Sequence, residues 1–150
     1  MEQRTFEEFY RELYAPMTKV AYLMMGSRQL AEELVQDAFI RLYEHFDDVK
    51  NPGGFLRTVV TRLCINASNR QAMERQRVTL LDSRVYTDPD IDEMWDRLAA
   101  ISADHRVVLV LRYYEDLSHR EIARIIGRPT ATVRTRVARA LRELRRGLEC

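Results

Sequence analysis

Lysine is almost absent from this chain: of 24 basic residues only Lys19 and Lys50 are lysine, and the others are arginine. Glycine and proline are scarce as well, five and four in 150 residues, which leaves few places where a helix must break. Runs that alternate apolar and polar side chains are rare, so the sequence reads as all-α. Two cysteines, Cys64 in an apolar pattern and Cys150 at the end, make no disulfide framework, and together with His45, His105 and His119 they give no metal-ligand spacing. No metal or cofactor is expected. Paired carboxylates, a nucleophile with its base and a phosphate-cradling glycine loop are all missing, so an enzyme is not expected either. No apolar run approaches the roughly 18 residues of a membrane span. The start, MEQRTFEEFYREL, is acidic and amphipathic rather than leader-like, and the expectation is a soluble cytoplasmic protein with no membrane insertion of its own.

The net charge of +1 conceals a pattern. Residues 1–50 carry 6 basic and 10 acidic side chains, 51–81 carry 5 and 1, 82–117 carry 4 and 9, and 118–150 carry 9 and 3. Arginine's planar fork suits phosphates and guanine edges. A charge block is usually a solvated face, yet two basic blocks at separate places suggest two contacts with one polyanion.

The apolar periods predict helices over about 4–14, 15–25, 28–46 and 53–74, and over about 90–101, 103–115, 118–126 and 130–148. Gly26-Ser27 and Asn51-Pro52-Gly53-Gly54 supply breaks. Residues 76–90 show no helical period and end in Asp88-Pro89-Asp90, a linker closed by a helix start. The expectation is two small helical domains, each of four helices, joined by a flexible linker.

The sharpest local signal lies near the end. Ser118 followed by Glu121 is a capping box, and the helix it starts buries Ile122, Ala123 and Ile125 or Ile126. Ala123, Gly127 and Val133 then have helix-turn-helix spacing: a small residue at the crossing, glycine at the turn, an apolar residue inside the second helix. On a helical wheel Val133, Val137, Ala140, Leu141, Leu144 and Leu148 share an arc of about 100°, the width of a core face. Thr132, Thr135, Arg139, Arg142 and Arg146 point away from it, with Arg134 and Arg136 on the flanks. An isolated face like this is often just the wet side of a surface helix. Here only Glu143 interrupts the arginines, and short threonines near the amino end would let the backbone approach base edges, so duplex DNA is the favoured ligand.

The helix from Phe55 carries a different set. Leu56, Val59, Val60, Leu63 and Ala67 form its apolar stripe, while Phe55, Thr58, Arg62, Asn66 and Asn69 align on another face with Ile65 at its edge. An aromatic ring, an arginine and two amides in line are what stacking on and hydrogen bonding to an unpaired base require; the plain alternative is that Phe55 packs inward and the amides face water. In the helix over 28–46, Leu30, Leu34, Ala38 and Leu42 would bury one side. Ile40 and Tyr43 fall across from them beside Glu33 and Gln36. Either a partner protein covers that mixed patch or another helix of the same domain does.

At these residues the chain resembles a known family. AEELVQDAFIRLYEHF (31–46) followed by NPGGFLRTVVTRLCINASNR (51–70) is similar to the second region of bacterial sigma factors of the extracytoplasmic-function (ECF) group, within the sigma-70 family. LSHREIARIIGRPTATVRTRVARALREL (117–144) resembles their fourth region, a helix-turn-helix. The resemblance implies region 2 over 1–75, a linker over 76–90 and region 4 over 91–150. It implies that Glu33, Gln36, Asp37, Ile40 and Tyr43 dock on the clamp helices of the RNA polymerase β′ subunit, with the β flap as a second polymerase contact. Phe55, Thr58, Arg62, Asn66 and Asn69 would then melt the minus-10 element and capture a flipped base. Thr132, Arg134, Thr135, Arg136 and Arg139 would read the minus-35 element. An anti-sigma factor is an implied partner, able to hold the protein at a membrane. The chain departs from the family at Phe55 and Tyr43, where tryptophan is common, and at Arg62 and Ala138, which bear on promoter sequence. The rival reading is a free-standing helix-turn-helix regulator that binds promoter duplex without polymerase.

Overall fold

The computed structural model describes residues 4–74 and 88–149, and all their regular structure is helical. Residues 75–87, which include most of the linker expected over 76–90, lie outside the described residues. Seven helices follow in order: α1 Phe6–Met25, α2 Arg28–Glu44, α3 Pro52–Glu74, α4 Pro89–Leu98, α5 Ala103–Leu109, α6 His119–Ile126 and α7 Thr130–Glu149. A 3-10 turn at Phe46–Asp48 follows α2, and a π-helical stretch, Val110–Tyr114, prolongs α5.

The first half thus has three helices rather than the four expected, because α1 runs unbroken through the anticipated joint and carries Pro16 inside it. An interior proline costs about 3 kcal/mol. Here it is exposed, and past it Met17, Val20, Ala21 and Met24 continue the inward stripe that Leu13 begins. Each such side chain gains about 1.5–3 kcal/mol on burial, which outweighs the broken ladder bond. Where the backbone must turn sharply, the expected signals act. Gly26 ends α1 at φ 75°, with its N–H on the Tyr22 carbonyl at 2.7 Å. Ser27 caps α2 by accepting from Leu30 N–H at 3.1 Å. Asn51 Oδ1 accepts from Gly54 N–H at 3.1 Å, with Pro52 opening α3.

The helices from α4 onward do not float apart from α1–α3; the buried side chains of both halves form one contiguous core. Ile91, Trp95 and Leu98 turn the apolar side of α4 inward. A Cβ on Gly26 would lie 2.0 Å from Trp95 Cζ2, so the glycine also makes room for the indole. Tyr22, fully buried, tilts against Trp95 and donates its hydroxyl to Asp92 Oδ1 at 2.7 Å. Arg106 of α5 sits 4.7 Å over the Trp95 ring and donates to the carbonyls of Met24, Leu98 and Ile101 at 2.9, 3.2 and 3.0 Å. One guanidinium thereby joins the carbonyl ends of α1 and α4, where the Leu98 carbonyl also accepts the Ile101 N–H at 3.2 Å.

Candidate nucleic-acid interface

The helix-turn-helix forms as the local chemistry dictates. Ser118 Oγ accepts from Glu121 N–H, and Glu121 Oε1 from Ser118 N–H, both at 3.1 Å. These bonds, the backbone one first, hold the Glu121 carboxyl below its ordinary value. Ile122, Ala123 and Ile125 are buried, and Ile126 partly so. Gly127 at φ 69° closes α6 with its N–H on the Ala123 carbonyl at 2.9 Å. In α7, Val133, Val137 and Ala140 are buried while Leu141 and Leu144 pack partly against the core. Leu148, expected on the same face, is 60% exposed: the wheel position continues inward, but at the end of α7 it meets too little of the core to be covered.

Thr132, Arg134, Thr135 and Arg139 are exposed and Arg136 half-buried. Among the described residues no carboxylate pairs with these three arginines. The Thr135 hydroxyl donates to the Ala131 carbonyl at 3.1 Å. Thr132, Thr135, Arg136 and Arg139, together with Ala131 and His105, line an open hollow of about 350 Å³. His105 was not singled out by sequence reasoning, because only tertiary packing of α5 against α7 brings it there.

On α3, Leu56, Val60, Cys64 and Ala67 face the core, and Val59 and Leu63 are half-buried. Burial pushes the Cys64 thiol up to about 12, which makes it an inert core residue. Of the stripe expected to hold a base, Phe55 is partly buried against the core, Thr58 is half-buried, and Asn66 and Asn69 are exposed. Arg62 is exposed at its surface, yet its guanidinium is occupied: Nε donates to the Ile125 carbonyl at 3.0 Å and Nη2 to the Arg124 carbonyl at 3.4 Å. These carbonyls are the negative end of α6. Beside them, Arg57 pairs with Glu115 at 3.0 Å in a setting where the Glu115 side chain keeps only 12% of its exposure.

On α2, Leu34, Ala38 and Leu42 are buried and Leu30 is half-buried. Ile40 is 57% and Tyr43 68% exposed, so no other helix among the described residues covers them. Tyr43 meets only the edge of Phe6, with ring centroids 5.2 Å apart. Glu33 and Gln36 are exposed beside them, and half-buried Asp37 reaches Arg41 at 3.5 Å. A second apolar surface escaped sequence reasoning. Met94, Leu98, Leu109, Val110, Tyr113, Tyr114, Leu141 and Leu144, with Arg97, line a hollow of about 290 Å³. Its one legible sign was two adjacent tyrosines at the end of an amphipathic run. The π-helical stretch, with Glu115 N–H on the Val110 carbonyl at 3.0 Å, is what carries Tyr113 and Tyr114 to that surface. Among the described residues no His, Cys, Asp or Glu cluster could hold a metal.

Comparison with known proteins agrees with this geometry. The family model for sigma-70 region 2 matches residues 9–73, and that for sigma-70 region 4 matches 91–144. The RNA polymerase sigma factor SigV of Bacillus subtilis is 27% identical over 149 residues, covering 93% of this chain and 83% of its own. The ECF RNA polymerase sigma factor SigL of Mycobacterium tuberculosis is 29% identical over a 161-residue alignment, covering 99% and 91%. Among solved structures, the sigma factor RpoE of Bartonella quintana, in complex with the anti-sigma factor NepR, superposes with a TM-score of 0.74 at 21% identity over 96% of both chains. The Mycobacterium tuberculosis ECF sigma factor SigJ gives 0.71 at 25% identity over 92% of this chain and 52% of its own. Two regions of one family, in order and on one all-helical chain, together with relatives matched over nearly its whole length, place this protein in the sigma-70 family of RNA polymerase sigma factors, in the extracytoplasmic-function group.

Proposed function

We propose that the protein directs core polymerase through four separate surfaces whose residues can be named. Residues 1–75 act as region 2, 76–90 as the linker and 91–150 as region 4. Glu33, Gln36, Asp37, Ile40 and Tyr43 dock on the β′ clamp helices. The hollow around Met94, Leu98 and Tyr113 takes an apolar segment of the β flap. Thr132, Arg134, Thr135, Arg136 and Arg139 read the minus-35 element from the major groove, the arginines through phosphates and guanine edges. Phe55, Thr58, Arg62, Asn66 and Asn69 receive a flipped minus-10 base. Extrusion costs a few kcal/mol, and stacking returns about 1–3 kcal/mol per base, so the amides and Arg62 must supply the difference. No bond is made or broken by the protein; polymerase does the chemistry.

The observation that carries this reading is the exposure of Ile40 and Tyr43. A free-standing DNA-binding regulator would use such an apolar pair to dimerise and would be a dimer by itself, whereas a polymerase subunit keeps it open for core enzyme. Arg62 adds a condition. Its Nε and Nη2 are committed to the α6 carbonyls, so base capture through that edge of the guanidinium requires α6 to leave α3.

A protein inhibitor fits the same surfaces. The structures of RpoE from Bartonella quintana and of CnrH were determined with the anti-sigma factor NepR and with the cytosolic domain of CnrY, respectively, which supports an anti-sigma factor for this chain. Its work is placed in the cytoplasm with polymerase, and no helix among the described residues is long and apolar enough to cross a membrane. A mobility-shift comparison separates this reading from its rival. Promoter duplex binds weakly to the protein alone and specifically once core enzyme is added; tight, sequence-specific binding without core would support the free-standing regulator.

A further inference from the structure

We infer that His105 belongs to the promoter-reading surface, as a DNA phosphate contact held by Glu143 and continuous with the arginines of α7. The inference rests on the minus-35 reading and extends it to a second helix. His105 stands near the start of α5, half-buried, with Nδ1 at 2.7 Å from Glu143 Oε2. The other carboxylate oxygen, Oε1, accepts the Ser102 N–H, also at 2.7 Å. Glu143 is the only carboxylate placed between the arginines of α7, and both its oxygens are turned to α5. It therefore ties the reading helix to its neighbour rather than neutralising the cationic face.

Two hollows meet at this point. The first, about 350 Å³, is shared by His105 and Arg139 with Thr132, Thr135 and Arg136. The second, about 500 Å³, is again shared by His105 and Arg139, now with Arg142, Arg145 and Arg146. His105 and Arg139 thus form the saddle of a continuous cationic track that begins at the threonines of the reading helix. With Nδ1 held by a carboxylate the imidazole is fixed in orientation, and Nε2 is left as the nitrogen able to meet a ligand. In the protonated ring Nε2–H is a donor suited to a phosphate oxygen. The occupant with repeated phosphates and a geometric claim on the first hollow is the DNA backbone flanking the base edges that Thr132 and Thr135 approach.

The test uses full-length protein bound to core polymerase, with promoter fragments carrying an intact or a scrambled minus-35 element, titrated over a range of salt. A phosphate contact contributes to every sequence alike and to the salt slope. His105→Ala is expected to weaken both fragments by about three- to tenfold and to lower the salt slope by about one. His105→Arg is expected to restore the slope, and Glu143→Gln, which keeps an acceptor for Ser102 N–H but releases the ring, to lower affinity in the same direction as His105→Ala. Unchanged affinity and slope in His105→Ala would overturn the inference, as would a loss that His105→Arg does not restore, since that would mark a purely structural role. Arg139→Ala is the reference. If it alone loses binding, the minus-35 reading stands without His105; if it loses nothing either, the minus-35 reading itself fails.

Discussion

Arg62 Nε donates to the Ile125 carbonyl at 3.0 Å, so a side chain proposed to meet the minus-10 strand is tied to the end of α6. The neighbouring Arg57–Glu115 pair, largely shielded, holds the same seam. Glu115→Arg sets two guanidinium groups face to face and should cost the seam about 1–3 kcal/mol. The separation of fluorescent labels on α2 and α7 should increase, and affinity for a single-stranded minus-10 oligonucleotide should rise several-fold without core enzyme. Arg57→Glu in the same chain should bring the labels back together. An unchanged separation in Glu115→Arg would show that the Trp95 contact with α1 holds the halves by itself.

Ile40 and Tyr43 are exposed, so truncating them costs little stability, while the proposed docking on polymerase predicts a large loss of binding. Gln36→Ala, Ile40→Ala and Tyr43→Ala combined should weaken core polymerase binding by about 2–4 kcal/mol, in the range of interface hot spots. The thermal midpoint should stay within a few degrees of the parent. Unaltered core affinity, measured by competition against a labelled sigma factor, would assign docking to another face.

Gly26 combines a left-handed backbone with an indole where its Cβ would be. Gly26→Ala should destabilise by about 2–4 kcal/mol, from backbone strain and from displacement of Trp95 together. Urea unfolding followed by the fluorescence of Trp95, the single tryptophan, reads this directly. A loss of no more than about 1–2 kcal/mol, the backbone strain alone, would mean that Trp95 does not pack on Gly26.

Glu121 is held below the ordinary carboxylate value by its bonds to Ser118. A depressed acid contributes stability that is present above its unfolded value and is lost as pH falls through its folded one. The parent should therefore lose helix-turn-helix stability on acidification into that range, and Glu121→Gln should lose less over the same interval. Equal acid sensitivity would remove the capping box from the account. Hydrogen exchange at the α6 amides is the measurement that localises the effect.

The parts of this fold that could be read in advance are those fixed within a turn or two of sequence. Ser118 and Glu121 cap each other and Gly127 stops α6 because three or four residues contain the whole argument. Ile40 and Tyr43 declared themselves by conflict, apolar residues on a face the core could not reach. The joint expected between residues 14 and 15 does not exist, because burial against α2 and α3 carries α1 through Pro16. The docking of Trp95 on Gly26, the capture of Arg62 by α6 and the arrival of His105 beside Arg139 join residues about thirty to seventy apart, and no periodicity records them. Leu148 failed for the opposite reason: the helical period persisted after the neighbours had ended.

The central claim is that this chain gives polymerase its promoters through two DNA contacts and two polymerase contacts. Run-off transcription with purified core enzyme on a library of genomic fragments tests it most directly. Added protein should create a discrete set of start sites sharing one minus-35 and one minus-10 element. Those starts should disappear with Arg134→Ala and Arg139→Ala combined, and separately with Asn66→Ala and Asn69→Ala combined. Start sites identical with and without the protein would contradict the account.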